Sequence, residues 1–380
     1  GFVGRHVVEA LLERGHEVVC VERRGGGRGW LSGLDVEFHA CGLDDTAELR
    51  RLMCPADVVY PLAALTEART PAECYEVNTM GTARLFEAVA GCPVSPPRVV
   101  FMSSLAAVGP APTGGMIRDD TPPMPLSHYG RSKLQAEAVV HAYADRVPGV
   151  VCRFPAVYGP RDRVVLKLFR MVAHGFALTI GPWEREVSVI HAADAVEGLM
   201  GAGREAAAVG RTFNVAHPSP VTWGLFVTAI ARALKRSPRR MSLPAAAIRP
   251  IAFAAEAAAR IARRAAVLNR DRVRELAQPR WVCDAGPAID DRAGCAVLVE
   301  VARVKIHHVG QHGVAPFLGM ESEHFAHGAG LAKREEQVFG IVADIEPNAR
   351  SLFDNRVHDV FAIIGRPQLG VDPDHLVHHV

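Results

Sequence analysis

Short apolar runs alternate with segments of helical periodicity along the first 160 residues of the chain. The apolar runs predict strands at 17–22, 36–41, 57–64, 98–104 and 149–155. The periodic segments predict helices near 3–14, 45–53, 73–90 and 128–146. Because this alternation is typical of βαβ units, it predicts an α/β fold with a parallel sheet, whose ligands bind beyond the carboxyl ends of the strands.

The pattern changes twice further along the chain. Residues 1–160 predict a Rossmann-type, doubly wound domain, and residues 161–290 predict a smaller substrate-binding subdomain that is partly interleaved with it. From 291 to 380 no βα rhythm continues, and this stretch holds nine of the 17 histidines. We therefore treat 291–380 as an unassigned tail, foreign to the catalytic unit or disordered, with no catalytic role.

Two glycines, Gly1 and Gly4, stand directly before the first helical pattern. They are typical of the second half of a dinucleotide-binding loop, where free N–H groups hold a pyrophosphate, although a structural glycine pair gives the same pattern. We expect a sheet that lacks its first strand, and weaker cofactor binding as a result. Glu22 ends the strand at 17–22 and is placed to bind a ribose hydroxyl, which favours NAD over NADP. Arg23 follows directly and could bind the 2′-phosphate of NADP, so NADP stays an alternative.

A tyrosine and a lysine four residues apart, Tyr129 and Lys133, lie in the predicted helix at 128–146. That spacing places both side chains on one helix face. An ammonium beside a phenol favours the phenolate, so Lys133 is expected to lower the pKa of Tyr129 and to hold the cofactor ribose. Ser104 ends the strand at 98–104, where its hydroxyl can bind a substrate oxygen while Tyr129 transfers the proton. A Y-x-x-x-K pair alone occurs often by chance, but strand, serine, tyrosine and lysine together predict an acid–base site.

Seven short stretches carry a family resemblance: "GFVG", "PLAALTEA", "NTMGT", "VVFMSSLAAVG", "YGRSK", "RFPAVYGP" and "VSVIHAADAVEG". In this order, over residues 1 to about 290, they resemble an extended short-chain dehydrogenase/reductase of the NAD-dependent epimerase/dehydratase type. The resemblance implies an NAD(P)-dependent enzyme that acts on a hydroxyl or carbonyl of a small molecule. It also implies proton transfer by Tyr129, hydride transfer to or from nicotinamide, and a homodimer.

The resemblance also assigns site residues. Ser104, Tyr129 and Lys133 match the catalytic triad. The implied cofactor contacts are Gly1, Phe2, Val3, Gly4, Glu22, Arg23, Leu43, Leu62, Ala63, Ala64, Asn78, Ser103, Tyr129, Lys133, Pro155 and Val157.

Departures from the family pattern bear on the substrate. Ala156 stands where the nucleotide-sugar enzymes often carry asparagine, and Gly42 stands where an aspartate is usual. The form "RFPAVYGP" is more similar to 3β-hydroxysteroid dehydrogenases and dihydroflavonol reductases, which favours a lipophilic substrate. A nucleotide-sugar epimerase/dehydratase, a non-catalytic dinucleotide-binding sensor and an inactive fragment remain alternatives.

Charge and composition argue against a nucleic-acid partner and against a membrane-spanning segment. The formal net charge of +2 argues against a nucleic-acid partner, and the local basic run at 232–240 is interpreted as a solvated helix end. Residues 245–268 are alanine-rich and helical in pattern, but charged residues interrupt them. They allow an amphipathic helix lying on a surface and argue against a membrane span.

The metal-ligand residue types predict neither a metal site nor a disulfide framework. Eight cysteines occur without a C-x-x-C pair, which favours buried, reduced thiols and a cytoplasmic location. His308 and His312 have a metal-binding spacing, but no carboxylate or cysteine set completes a site, so no metal is expected.

Overall fold

The computed structural model describes residues 1–23, 25, 29–266 and 268–289, together with the backbone of 360–366. His308 and His312 lie outside the described residues, as does the rest of the 291–380 tail apart from the backbone of 360–366.

The described elements are numbered in chain order. The strands are β1 (Glu17–Glu22), β2 (Glu37–Ala40), β3 (Val58–Tyr60), β4 (Arg98–Ser104), β5 (Gly149–Phe154), β6 (Ala156–Tyr158), β7 (Phe176–Ile180), β8 (Glu186–Val187), β9 (Val189–His191), β10 (Thr212–Asn214), β11 (Val221–Thr222), β12 (Arg239–Leu243), β13 (Arg280–Trp281) and β14 (Val360–Arg366). The helices are α1 (Phe2–Glu13), α2 (Thr46–Met53), α3 (Pro71–Tyr75), α4 (Gly81–Ala90), α5 (His128–Ala142), α6 (Arg163–Ala173), α7 (Ala192–Arg204), α8 (Trp223–Ala233), α9 (Ala245–Ile261), α10 (Arg270–Leu276) and α11 (Gly286–Ile289).

A seven-stranded sheet forms the centre of the fold, in the order β10-β5-β4-β3-β14-β1-β2. Six strands run parallel, which confirms the predicted α/β class. Strand β14 is antiparallel to both of its neighbours, β1 and β3. In a doubly wound sheet this central place usually belongs to a parallel strand that precedes the first helix.

Helices cover both faces of the sheet because the apolar residues of each strand point alternately to either side. Val18 and Cys20 of β1 pack into the core formed with α1 and α7, whereas Val19 and Val21 pack into the core formed with α2, α4 and α5. Strands buried on both faces give nearly continuous apolar runs, which is why they are readable in the sequence.

Three predicted boundaries shift for local reasons. Strand β3 ends at Tyr60, four residues early, because Pro61 has no N–H to continue the ladder. Strand β5 likewise ends at Phe154, directly before Pro155. The helix predicted at 73–90 is divided into α3, a π-helical turn at Glu76–Met80, and α4.

The expectation that the cysteines are reduced is wrong for two of those described. Cys54 and Cys92 form a disulfide, with their Cα atoms 5.4 Å apart. They follow α2 and α4, which pack side by side, so the packing brings together two residues far apart in sequence. The other described cysteines are buried thiols, as predicted: Cys20, Cys41, Cys74, Cys152 and Cys283.

The region after residue 160 contributes to two places. Strand β10 adds to the edge of the main sheet, and helix α7 packs against that sheet. Helices α6 and α8 pack with residues of the three small sheets in a separate apolar cluster. Strands β7 and β12 pair in parallel in one of these small sheets, and α9 follows β12 directly. Within the described part of the chain, no helix is both long and apolar enough to cross a membrane.

Candidate active site

The carboxyl end of β4 meets the first turn of α5, and this junction brings the predicted triad together. Ser104 is the last residue of β4, while Tyr129 and Lys133 lie on α5. The helix begins where the sequence provides a cap, because the Ser127 hydroxyl accepts a hydrogen bond from the Gly130 amide at 2.9 Å. A Cβ at Gly130 would lie 2.1 Å from the Ala106 carbonyl oxygen, so only glycine allows this close approach.

A hydrogen bond joins the side chains of Tyr129 and Ser104. The Ser104 hydroxyl also accepts the Ala106 amide at 3.2 Å, which fixes it at the strand end. Burial raises the pKa of Tyr129 to about 12, and the bond to Ser104 offsets only part of this. The structure thus differs from the expectation of a lowered pKa: desolvation dominates, and Tyr129 keeps its proton at neutral pH.

Lys133 is buried at the base of the site. Its ammonium donates to the Met102 carbonyl oxygen at 2.6 Å and lies 4.3 Å from the centre of the Phe101 ring. Burial lowers the pKa of Lys133 to about 8, against a raising effect of Glu137. A lysine with such a pKa can hold or release a proton near neutrality.

A buried ionic network supports this junction from below, and the sequence analysis missed it. Arg153 of β5 binds Glu137 of α5 with two guanidinium nitrogens, at 2.8 and 3.1 Å. Ser103 donates to the same carboxylate at 2.5 Å, and Arg153 also reaches the Asp119 carbonyl oxygen at 3.2 Å. Two signals were available, an arginine inside an apolar strand and a glutamate four residues after Lys133.

Two residues predicted to contact the cofactor have internal hydrogen bonds in the structure. Ser103 donates its hydroxyl hydrogen bond to Glu137. Asn78 is buried in the π-helical turn, where its side chain accepts the Leu65 amide at 2.8 Å and donates to Ser132 at 2.9 Å. Asn78 therefore holds the loop that contains Leu62, Ala63 and Ala64. Direct contact of these residues with a cofactor stays a prediction.

The remaining predicted cofactor residues occupy the same edge of the sheet or the elements beside it. Gly1 is the N-cap of α1, and Gly4 is buried in its first turn. Glu22 is only 1% exposed at the end of β1, and Arg23 beside it is exposed. Four others are partly buried: Phe2, Val3, Pro155 and Val157. Leu43 packs against the core, with Gly81 of α4 so close that a Cβ there would lie 2.6 Å from the leucine side chain.

The N-terminus of α1 fits a pyrophosphate. The first turn contains no acidic residue, and its N-cap, Gly1, has no side chain to bond the N–H groups of that turn. Such groups, together with the helix dipole, favour a bound anion. Among the described residues, no group of three or more histidine, cysteine, aspartate or glutamate side chains could hold a metal ion.

Comparison with known proteins places this geometry in context. Residues 1–216 match the family model for the NAD dependent epimerase/dehydratase family. A ceramide reductase from Caulobacter vibrioides is 28% identical over 287 residues, which cover 76% of this chain and 84% of that protein. The dTDP-6-deoxy-L-talose 4-dehydrogenase (NAD(P)(+)) of Kitasatospora kifunensis is 36% identical over 163 residues, but these cover only 42% of this chain and 50% of that protein.

Solved structures agree on the fold. The UDP-glucose 4-epimerase of Thermus thermophilus, in complex with NAD, superimposes with a TM-score of 0.59 at 22% identity. The match covers 80% of this chain and 97% of that structure. At this identity the likeness establishes the Rossmann-type architecture.

Proposed function

Since the chain belongs to the NAD-dependent epimerase/dehydratase family and is an NAD(P)-dependent enzyme of the extended short-chain dehydrogenase type, we propose that it reduces or oxidises a lipophilic alcohol or ketone. The observation that carries this proposal is the hydrogen-bonded pair of Ser104 and Tyr129 at the carboxyl end of β4. Two hydroxyl groups at one point can bind one substrate oxygen, and one of them can exchange a proton with it.

The state of Tyr129 favours carbonyl reduction. With a pKa near 12 the phenol is protonated at neutral pH, so it can donate a proton to a carbonyl oxygen as negative charge develops there. Ser104 donates a second hydrogen bond to the same oxygen and stabilises that charge. A bound nicotinamide cofactor would supply the hydride. Reprotonation of Tyr129 completes the cycle, and Lys133, one turn further along the same helix and with a pKa of about 8, is suited to relay that proton.

The substrate class rests on two observations. Ala156, an exposed residue of β6, replaces the asparagine that nucleotide-sugar enzymes often carry, and this removes a polar contact. The ceramide reductase matches this chain over 84% of its length, whereas the talose dehydrogenase matches over half of its length. The higher identity to the talose enzyme is the observation that keeps a nucleotide-sugar substrate as the second candidate.

Three further points belong to the same proposal. Glu22 at the end of β1 supports NAD over NADP, because a carboxylate repels a 2′-phosphate. A cytoplasmic location is proposed on the five buried thiols, although the Cys54–Cys92 disulfide counts against it. A homodimer is also proposed. The homodimer rests on family resemblance. Family members often dimerise through a four-helix bundle that includes the helix matching the one with Tyr129 and Lys133.

The test is turnover by the purified chain. Nicotinamide absorbance is followed with NADH and NADPH against long-chain ketones, sterols, flavonols and nucleotide-sugars. We expect turnover of a lipophilic compound, and a loss of about 10²-fold or more in Tyr129→Phe. Tyr143→Phe, at the C-terminal end of the same helix, is the matched control and should keep full activity.

Cofactor binding is measured in parallel by thermal shift, since a ligand of the native state raises the melting temperature. A shift without turnover of any compound favours the sensor. No shift at millimolar NAD or NADP favours the inactive fragment. Equal activity in Tyr129→Phe and the wild type rejects the proposed proton transfer.

A further inference from the structure

One segment of the chain concentrates positive charge. Residues 223–266, from α8 to the turn after α9, contain nine lysines and arginines and a single glutamate, for a local net charge of +8 against +2 for the whole chain. The basic residues are Arg232, Lys235, Arg236, Arg239, Arg240, Arg249, Arg260, Arg263 and Arg264. The single glutamate, Glu256, forms an ion pair with Arg270, which lies just beyond this segment, at 2.9 Å.

Helix α9 is apolar on the side that faces solvent as well as on the side that faces the protein. Its inner side buries Ile248 and Ala252 against neighbouring apolar residues. On the outer side Ile251 is 56% exposed, Phe253 60% and Ile261 86%. The exposed positions between them are filled by small apolar residues: Ala246, Ala247, Pro250, Ala254, Ala257 and Ala258.

The helical spacing separates charge from this apolar side. At about 100° per residue, Arg249 and Arg260 fall together along one border of α9, and Phe253 falls just inside that border. Ile251 and Ile261 fall further round, on the outer side. The Arg270 guanidinium lies over the Phe253 ring, 5.6 Å from its centre. An ordinary surface helix of a globular protein carries charged or polar residues on its outer face. Arg263 and Arg264 follow the last turn, so the apolar side is flanked by arginine along one edge and at its C-terminal end.

The sheet of β7 and β12 extends the exposed apolar surface. Phe176 and Leu178 of β7 are 52% and 39% exposed, and Met241 of β12 is 42% exposed. Leu178 and Met241 are paired across the two strands, and Phe176 is paired with Arg239. Leu243 and Ile180, at the far end of the same strands, pack under α9. Apolar and basic residues are therefore interleaved over the strands as they are on the helix.

We propose that α9 and the β7–β12 pair form a docking face for the surface of a bilayer with anionic headgroups. Ile251, Phe253 and Ile261 enter the boundary between headgroups and acyl chains, and the arginines contact phosphates. A basic helix that also exposes aromatic and aliphatic residues is the form that lies in the plane of such an interface. Charge complementarity selects this occupant, because a second copy of the chain would bring two arginine-rich faces together.

The test is sedimentation of the full chain with vesicles. We expect binding to phosphatidylcholine vesicles that contain a third phosphatidylglycerol, and binding at least about tenfold weaker to phosphatidylcholine alone. The difference should vanish at about 0.5 M NaCl, where screening acts over a few ångströms. Arg263→Gln with Arg264→Gln should weaken binding by about 30-fold. Phe253→Ser with Ile251→Ser should weaken it at least about tenfold, with vesicles of either composition.

Matched controls carry the same changes elsewhere. Val94→Ser alters an apolar side chain that is 83% exposed, and Arg51→Gln with Arg204→Gln removes two exposed arginines from α2 and α7. These variants should bind as the wild type does. Equal binding to both vesicle types, or a loss no larger in the α9 variants than in the controls, overturns the proposal. A second outcome also overturns it: the wild type does not bind vesicles, and sedimentation equilibrium shows that it is a dimer which Phe253→Ser dissociates. Because the assay measures attachment, it is independent of turnover and of the proposed function.

Discussion

Removal of Arg153 is the sharpest test of how the site is supported. The side chains of Glu137 and Arg153 are 3% and 8% exposed, so both charges have left water and depend on each other. In Arg153→Met, the Glu137 carboxylate keeps its bond from Ser103 and loses every bond from the guanidinium. Loss of one partner of a buried pair costs about 3–5 kcal/mol, and we expect about 4 kcal/mol here.

The paired variant separates a lost attraction from a stranded charge. Arg153→Met with Glu137→Met replaces the ion pair by apolar side chains of similar length, a change that is often nearly neutral. We expect the double variant to unfold within roughly 1 kcal/mol of the wild type, which makes the coupling between the two positions large.

Urea unfolding followed by circular dichroism measures these values, provided that the slope with denaturant stays constant among variants. Arg51→Met, which breaks the exposed pair with Glu48, is the control and should leave the unfolding midpoint in urea nearly unchanged. A cost below about 1.5 kcal/mol for Arg153→Met alone would refute the reasoning from burial. So would a double variant as unstable as the single one.

Three other predictions follow from described features. The pKa of Lys133 is about 8 in the folded chain, against 10.5 for a lysine in water. Below pH 8 the buried charge therefore lowers the free energy of unfolding. This penalty disappears as the pH rises from 8 to 10.5, because the folded chain releases the proton first. The unfolding free energy of the wild type relative to Lys133→Met should therefore rise by about 3 kcal/mol over that range in pH-dependent urea titrations, and a flat difference would contradict the assigned shift. Gly130→Ala would place a Cβ 2.1 Å from the Ala106 carbonyl oxygen, so α5 must move; we expect a drop in melting temperature and roughly a tenfold or greater loss of turnover, whereas wild-type values would show that the close approach is dispensable. Reduction of the disulfide between Cys54 and Cys92, 38 residues apart, should lower the unfolding free energy by about 4 kcal/mol in urea with and without dithiothreitol, and equal midpoints would show that the bond adds no stability.

Local patterns predicted much of the architecture. Strand β1 and strand β4 have the predicted limits, and the parallel sheet is confirmed, because buried strands and amphipathic helices leave periodic signals within a few residues. The same logic placed Ser104 and Tyr129 at one strand end, where a hydrogen bond joins them. The pKa of Tyr129 was beyond reach, since desolvation depends on everything packed around the phenol.

Contacts between distant parts of the chain could not be read in the same way. The link between Cys54 and Cys92 depends on how α2 and α4 pack, and no spacing rule announces it. The π-helical turn at Glu76–Met80 arises from the tertiary bonds of Asn78, which helical periodicity does not contain. Strand β14 gives no local sign of its position either, because its partners β1 and β3 lie far away in the sequence.

Strand β14 is the only link between the two halves of the main sheet within the described residues. On one side of it lie β1 and β2, and on the other side lie β3, β4, β5 and β10. Both β1 and β3 hydrogen-bond to β14 along the edge that faces it. Strand edges that lose their partner attract other chains. Detachment of β14 would therefore open two edges in the middle of the sheet at once, and aggregation is the expected consequence.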